Sequence, residues 1–389
     1  MNNKSVNLIT IMLIFSLAII YFIPVSTNYV PEEHYNIYYY TRLIIIPFSM
    51  IVILYYHKIS IINLIMGLII IFKAVFYGGE VAGMTYLFST FICIDFLILN
   101  TDKINFKVLR GFLNITSYIF LIQILLCSIQ TKSISSFIGD KNYLGYFIYF
   151  LYIYYEFLKK KIRWIWLILG TFTLSRNFSV SVVVFWSINI IIRNKEIKSI
   201  SSKLTKKIWG AGQLSIIPIT IIYCRMFEKL GYSYVYRTGL SRITNFIDES
   251  NYLRFKINEL AWQTLNFTNL LFGFRNGDFI GLDYYTGKVL YPHNTFLALL
   301  VQMGAITAFL YMSQCIRLIN KFHKNRYFSF CISMVLYQLF LGPSSFYGIE
   351  LIIMYVILLL ADEEEELNKK EEVNEKEEVN EKDRYLTAI

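Results

Sequence analysis

Residues 143–192 read YLGYFIYFLYIYYEFLKKKIRWIWLILGTFTLSRNFSVSVVVFWSINIII. Apolar and aromatic residues fill three blocks, 143–158, 164–175 and 178–192. The charge stands mostly between them: Lys159, Lys160, Lys161 and Arg163 in one gap, Arg176 in the other. About 20 apolar residues cross a bilayer as a helix, and a charge facing lipid is costly. The stretch therefore predicts three successive membrane helices. The second and third are short, with a break at Ser175-Arg176-Asn177, because an arginine in the middle of one lipid-facing helix would be unfavourable.

The same pattern runs outward in both directions. Of 389 residues, 56% are hydrophobic and 16% charged, against roughly a quarter charged in soluble domains. The last 28 residues hold 12 of the 27 acids and 5 of the 37 bases, leaving 32 bases against 15 acids in the body. This excludes a soluble enzyme, a secreted domain and a disordered regulator. The basic excess does not point to nucleic acid, because it sits in short loops between apolar runs. Further spans are read at Val6 to Ser26 (a retained first helix, not a cleaved signal), 42–57, 60–77, 82–99, 111–130, 208–223, 293–312, 327–341 and 347–360. The expected fold is all-α, a polytopic transmembrane bundle of about twelve spans over residues 1–360. The basic loops around Lys103–Arg110, Lys159–Arg163, Arg193–Lys207 and Arg317–Arg326 fall on one side, which places both termini in the cytoplasm of a plasma-membrane protein. Residues 361–389, with EEVNEK twice in tandem from Glu371, form a charged tail, read as disordered or loosely helical. The five cysteines have no metal spacing and lie in or at the end of apolar runs.

Residues 224–292 form one large external loop without a membrane-length run. Long loops in compact proteins are functional or disordered, and the aromatic content of this one predicts order. Asn251 to Phe267 (NYLRFKINELAWQTLNF) places Leu253, Ile257, Leu260, Ala261 and Leu265 at helical spacing, with Arg254, Lys256, Asn258, Glu259 and Gln263 between them. This predicts an amphipathic helix over the membrane surface or the bundle. Leu271 to Gly277 follows as a glycine-punctuated turn.

Arg237, Arg242, Arg254 and Arg275 lie outside the membrane, where topology does not require them. Arginine suits bidentate contact with phosphate oxygens. Lipid-headgroup contact is the alternative for each. His293 and Asn294, after Pro292, open a span; near a helix N-terminus the dipole keeps an imidazole neutral and able to take a proton from a hydroxyl. Capping is the alternative there. Arg176, between two short spans, faces a cavity or forms a structural ion pair. Lys73, Glu80, Asp95, Glu156 and Glu350 are further charges within or at the edges of spans. Lys73 and Glu80 lie two turns apart if the helix continues past Gly78-Gly79. External tyrosines, Tyr232, Tyr234, Tyr236, Tyr284 and Tyr285, suit either the interface or stacking on sugar rings. There is no nucleotide, zinc-protease or lipase motif and no Asp-rich outer loop.

Several of these elements, in this order, resemble the O-antigen ligase and polymerase superfamily, the Wzy-type polysaccharide polymerases in particular. They are Thr173-Leu174-Ser175-Arg176 between short spans, the late external loop, Arg254 with the following Trp262, the turn Leu271 to Gly277, and His293-Asn294 with Gly304 beyond. Gly139 to Gly145 (GDKNYLG) also resembles the family's segment opening an earlier span. The resemblance covers residues 110 to 345. It implies a metal-independent glycosyltransferase, with no cofactor, acting on glycans carried by undecaprenyl diphosphate at the outer face of the plasma membrane. It implies Arg176 and Arg254 as diphosphate ligands and His293 as the base. Arg237, Arg242 and Arg275 are helpers by position only, and Asn294 and Trp262 candidate substrate contacts. The partners expected are that lipid-linked glycan, the bilayer and other polysaccharide-assembly proteins. A glycan ligase of the same superfamily and a lipid-linked oligosaccharide flippase remain as alternatives; the absence of repeated halves weighs against a flippase.

Overall fold

The structure is a computed structural model that describes residues 60–79, 81–101, 104–131, 134, 141–194, 202–229, 249–275, 292, 294–321, 325–340 and 349–387. The two first spans fall outside these residues. Among the described residues every regular element is helical. In chain order they are α1 (Ile61–Phe72), a π-helical turn (Lys73–Tyr77), α2 (Val81–Leu99), α3 (Phe106–Thr131), α4 (Lys141–Phe157), α5 (Arg163–Phe172), α6 (Arg176–Asn194) and α7 (Ser202–Leu214). They continue with α8 (Ile216–Lys229), α9 (Glu249–Gln263), α10 (Phe267–Phe272), α11 (Thr295–Met303), α12 (Ala305–Lys321), α13 (Asn325–Phe340) and α14 (Ile349–Thr387).

The break at Ser175 falls where the sequence puts it. Leu174 takes a positive φ of 56°. Thr173 Oγ1 accepts from Ser175 N at 3.2 Å, and Ser175 Oγ accepts from Phe178 N at 3.4 Å, so a hydroxyl caps the new helix. Two expected spans are each two helices. The run 208–223 is divided at Ser215, whose Oγ donates to Gly212 O at 2.6 Å, with Pro218 in the first turn of α8. The run 293–312 is divided at Gly304, which leaves a nine-residue α11 with every residue buried, followed by α12. Hydropathy alone cannot see either break, because both halves are apolar.

The core is aromatic. α13 packs along α6 and α7, and α4 along α5 and α6. Ring centroids of Tyr149 and Tyr337 lie 5.1 Å apart, those of Tyr146 and Tyr337 4.9 Å, and those of Phe157 and Tyr327 5.4 Å. Tyr149 and Ser333 share a hydroxyl hydrogen bond, and Tyr337 donates to Gly145 O at 3.2 Å.

The outward faces of α1 and α3 are apolar, while their inward faces mix apolar and polar residues. α3 buries Thr116 and Ser117 completely and turns Ile115, Ile122, Leu126 and Ile129 outward at 55–76% exposure. α1 buries Asn63 and exposes Ile61, Leu64, Leu68 and Ile71. Of all the described helices, only one segment, Phe106–Gln130 in α3, is by itself long and apolar enough to cross a membrane; Ile61–Tyr77, Gly83–Leu99, Arg163–Phe172 and Arg176–Ile192 are shorter apolar helices.

At one end Asp95, 6% exposed, pairs with Arg317 and accepts from Asn63 Nδ2 at 2.8 Å and Gln314 Nε2 at 3.4 Å, tying α1, α2 and α12 together. α14 runs on from the last apolar run to Thr387, so the acidic segment, whose sequence reads as disordered or loosely helical, is helix to that residue. Glu and Lys are good helix formers. Lys369 pairs with Glu365 one turn away at 2.6 Å, and Arg110 holds Glu363 at 2.5 Å and Glu364 at 2.7 Å.

Candidate functional site

The expected amphipathic helix is α9, and it is followed by α10, capped by Asn266, whose Oδ1 accepts from Asn269 N at 2.8 Å. Its inward face is not quite the one the apolar spacing selects. Ile257 and Ala261 are buried as expected, but Phe255 and Asn258 join them and Leu260 is 39% exposed. The face is set by what α9 packs against. The Phe255 ring stacks on Tyr223 of α8 at 4.3 Å between centroids, and Ala261 packs with Leu297, Leu300 and Val301 of α11. A helix held by protein on two sides selects its face by fit to those neighbours, not by apolar spacing alone.

The glycine turn is docked at a junction of three helix ends. The π-helical turn, α10 and α11 each stop on a glycine with nearly the same conformation: Gly78 at φ 82°, ψ −168°, Gly273 at φ 80°, ψ 173°, and Gly304 at φ 90°, ψ 166°. That region is open essentially to glycine alone. The chain does not continue helically past Gly78, so the two-turn relation between Lys73 and Glu80 does not hold; Glu80 lies outside the described residues. A Cβ on Gly304 would stand 2.2 Å from Leu271 O, and one on Gly273 2.6 Å from Gln302 O. The backbones of α10 and α11 thus touch directly, and Phe274 N donates to Val301 O at 2.8 Å.

Into this junction Lys73 extends, fully buried, with Nζ donating to Phe272 O at 2.7 Å and Gln302 O at 3.3 Å. Both carbonyls belong to last helical turns, the negative ends of their dipoles. Lys73 is therefore a cationic cap shared by two helices, which explains a buried charge that the sequence leaves unassigned. Tyr77 OH reaches Gly273 O at 2.9 Å, and the Arg275 guanidinium lies 4.8 Å from the Tyr77 ring centroid. Arg275 is exposed and held at the turn.

α11 starts from Asn294. The Asn294 side chain is 0% exposed; Oδ1 accepts from Leu297 N at 2.7 Å and Nδ2 donates to Gln338 O at 3.2 Å. Its amide is engaged in the cap and with α13, so it fixes the start of α11. His293 precedes it directly but lies, with Arg237, Arg242 and the external tyrosines, outside the described residues.

Arg176 opens α6 and is 7% exposed. A cation in the first turn opposes the helix dipole, so helix stability does not explain its place. α13 is the element that packs on both α6 and α11. Arg254 is half-buried on α9, one turn before Asn258.

Between α8, α9 and α11 lies an open cleft of about 550 Å³, counting the solvent at its mouth. Thr220, Ile221 and Arg225 line it from α8, Asn258, Glu259, Trp262 and Gln263 from α9, and Leu297 from α11. Of the expected site residues among the described ones, only Trp262 is in its wall. Sequence reasoning missed Thr220 and Arg225. The signal available was their place, straddling the polar end of the run 208–223. No protein-family model, curated protein or solved structure matches the chain.

Proposed function

We propose that the chain is a multi-pass plasma-membrane glycosyltransferase that polymerises undecaprenyl-diphosphate-linked oligosaccharide repeat units into a capsular, exo- or O-antigen polysaccharide at the outer face. Membrane location is supported by the apolar outer faces: α3 exposes Ile115, Ile122, Leu126 and Ile129 while burying Thr116 and Ser117, and α1 exposes Ile61, Leu64, Leu68 and Ile71 while burying Asn63, a surface that water would disfavour at about 25 cal/mol per Å². About twelve spans with both termini in the cytoplasm remains the reading of the whole chain.

The observation that carries the enzymatic reading is the junction around Lys73. The external segment is folded as α9, α10 and the glycine turn, and it is locked, backbone to backbone, onto α11, the helix that follows His293 directly. A surface anchor has no need of a buried charge and three glycine-only turns to hold a loop in one place. A site that must align a base with charge-stabilising groups does.

In this reading His293 takes the proton of an acceptor sugar hydroxyl. The hydroxyl oxygen forms a bond to the anomeric carbon of the donor glycan as that carbon's bond to the diphosphate breaks. Arg254 and Arg176 stabilise the departing undecaprenyl diphosphate, without a metal. Arg237, Arg242 and Arg275 are helpers in charge balance, and Asn294 positions His293 by fixing the helix start.

The test uses a deletion strain complemented at matched membrane levels. Wild type yields a ladder of long surface polysaccharide. His293→Ala and Arg254→Ala yield single repeats. Long chains from His293→Ala would return that histidine to a capping role and remove the proposed mechanism.

A further inference from the structure

The cleft between α8, α9 and α11 carries an observation that its lining alone does not explain. Thr220 is 3% exposed, lines the cleft, and its hydroxyl has no hydrogen-bond partner in the protein. A threonine inside a helix ordinarily turns its hydroxyl back to the carbonyl four residues earlier. Thr85, Thr116 and Thr264 all do so here, at 2.9, 2.8 and 2.8 Å. Thr220 does not, and an unsatisfied buried hydroxyl is a standing cost in stability. A hydroxyl can both donate and accept, and the cleft beside Thr220 is the side from which a polar group would reach it.

The remaining walls limit what that group belongs to. Trp262 is 43% exposed and offers an aromatic face, with Ile221 and Leu297 as apolar floor. Asn258, Glu259 and Gln263 place two amides and a carboxylate around it. An apolar face bordered by hydrogen-bonding edges is the complement of a sugar ring, whose C–H face is apolar and whose rim is hydroxyl. Charge does not single out phosphate here. The lining holds one cation, Arg225, and one carboxylate, Glu259, which is also paired to Lys256 at 2.7 Å. An anion entering the cleft meets that carboxylate as well as Arg225.

We propose that this cleft is a saccharide subsite for an uncharged pyranose ring, its C–H face on Trp262 and its hydroxyls on Thr220 Oγ1, Glu259 and Gln263. The proposal deepens the polymerase reading and rests on it for where the sugar comes from. It separates two duties: the ring binds here, and the diphosphate binds elsewhere. Leu297, in the first turn of α11, is four residues beyond His293 in the chain, so a ring seated in the cleft is bound at the start of that helix.

The experiment is saturation-transfer NMR on the full chain in nanodiscs. The probes are the methyl β-glycosides of glucose, galactose and N-acetylglucosamine, with inorganic pyrophosphate as competitor. At least one glycoside should receive transfer from wild type, strongest on its ring C–H protons. Trp262→Ala should abolish it. Thr220→Val should weaken binding about tenfold, and Thr220→Ser should restore it, as expected for one hydrogen bond. Gel filtration and thermal melts confirm that the variants remain folded. Transfer to none of the three glycosides, transfer unchanged in Trp262→Ala, or displacement by pyrophosphate would each overturn the saccharide subsite. Polymer length in cells is read separately. Glycoside binding without polymer would uphold the cleft and defeat the polymerase reading; polymer without glycoside binding would do the reverse.

Discussion

Alanine at Gly304 isolates how much the chain relies on the backbone contact between α10 and α11. Two costs add. The first is conformational: at φ 90°, ψ 166° a side chain costs about 1–3 kcal/mol. The second is steric: the new Cβ would sit 2.2 Å from Leu271 O and 2.6 Å from the carbonyl carbons of Leu271 and Phe272. Those atoms are backbone, held by Lys73 on the far side of the turn, and forced overpacking of this kind costs about 1–3 kcal/mol more. The sum, about 2–6 kcal/mol, is a large part of a typical stability. Gly78 is the matched control. It has nearly the same conformation, φ 82°, and nothing within 4 Å of an added Cβ, so Gly78→Ala carries the conformational cost alone. Gly111, in mid-α3 with open space around it, should gain about 0.5–1 kcal/mol as alanine. Thermal unfolding in detergent, followed by a thiol-reactive dye that reports exposure of the buried Cys93, Cys224, Cys315 and Cys331, ranks the three. The expected order of apparent midpoints is Gly111→Ala at or above wild type, then Gly78→Ala, then Gly304→Ala lowest. Equal midpoints for Gly78→Ala and Gly304→Ala would refute the backbone contact.

Other perturbations follow from the same contacts. Lys73→Ala strips two helix-terminal carbonyls and leaves a buried void, at about 2–5 kcal/mol; Lys73→Met, which keeps the volume, should cost less, and the same dye assay separates them. Arg317→Leu leaves Asp95 buried without its partner, at about 1–3 kcal/mol given that Arg317 is one-third exposed. Adding Asp95→Asn should recover most of the loss, and no recovery would contradict the pairing. Burial pushes the Glu363 carboxyl up, with Arg110 pulling it back. An acid whose pKa is raised on folding loses stability as pH rises through the folded value, so Glu363→Gln should raise the melting midpoint at pH 7 and leave it unchanged below the ordinary carboxylate range. Arg110→Ala should quicken tryptic cleavage at Lys369 and Lys370 of the tail helix, because its two carboxylate contacts are lost.

The legible part of the fold is the part written in contrast. Arg176 between apolar blocks marks a break that α5 and α6 keep, and the alternation from Leu253 to Leu265 marks α9. Breaks inside uniformly apolar runs were not legible. Ser215 and Gly304 carry no change in hydropathy, and only backbone geometry reveals them. The inward turn of Asn258 and the outward turn of Leu260 depend on Tyr223 and α11, which are distant in the chain. Lys73 stood out as a charge in an apolar run, but its role needs Phe272 and Gln302, about 200 and 229 residues away. Thr220 is marked in the sequence only by its place near the polar end of the run 208–223; its distinction, a hydrogen bond it does not make, is visible only in the structure.

The most direct measurement of the central claim is reconstitution. The purified chain in liposomes receives lipid-diphosphate-linked repeat units and nothing else, with chelator present. Products are sized and released undecaprenyl diphosphate is counted. The polymerase account predicts chains that lengthen with time, one undecaprenyl diphosphate released per new linkage, and loss of both with His293→Ala. Repeat units that cross the bilayer unjoined, or chains of equal length from His293→Ala, would contradict it.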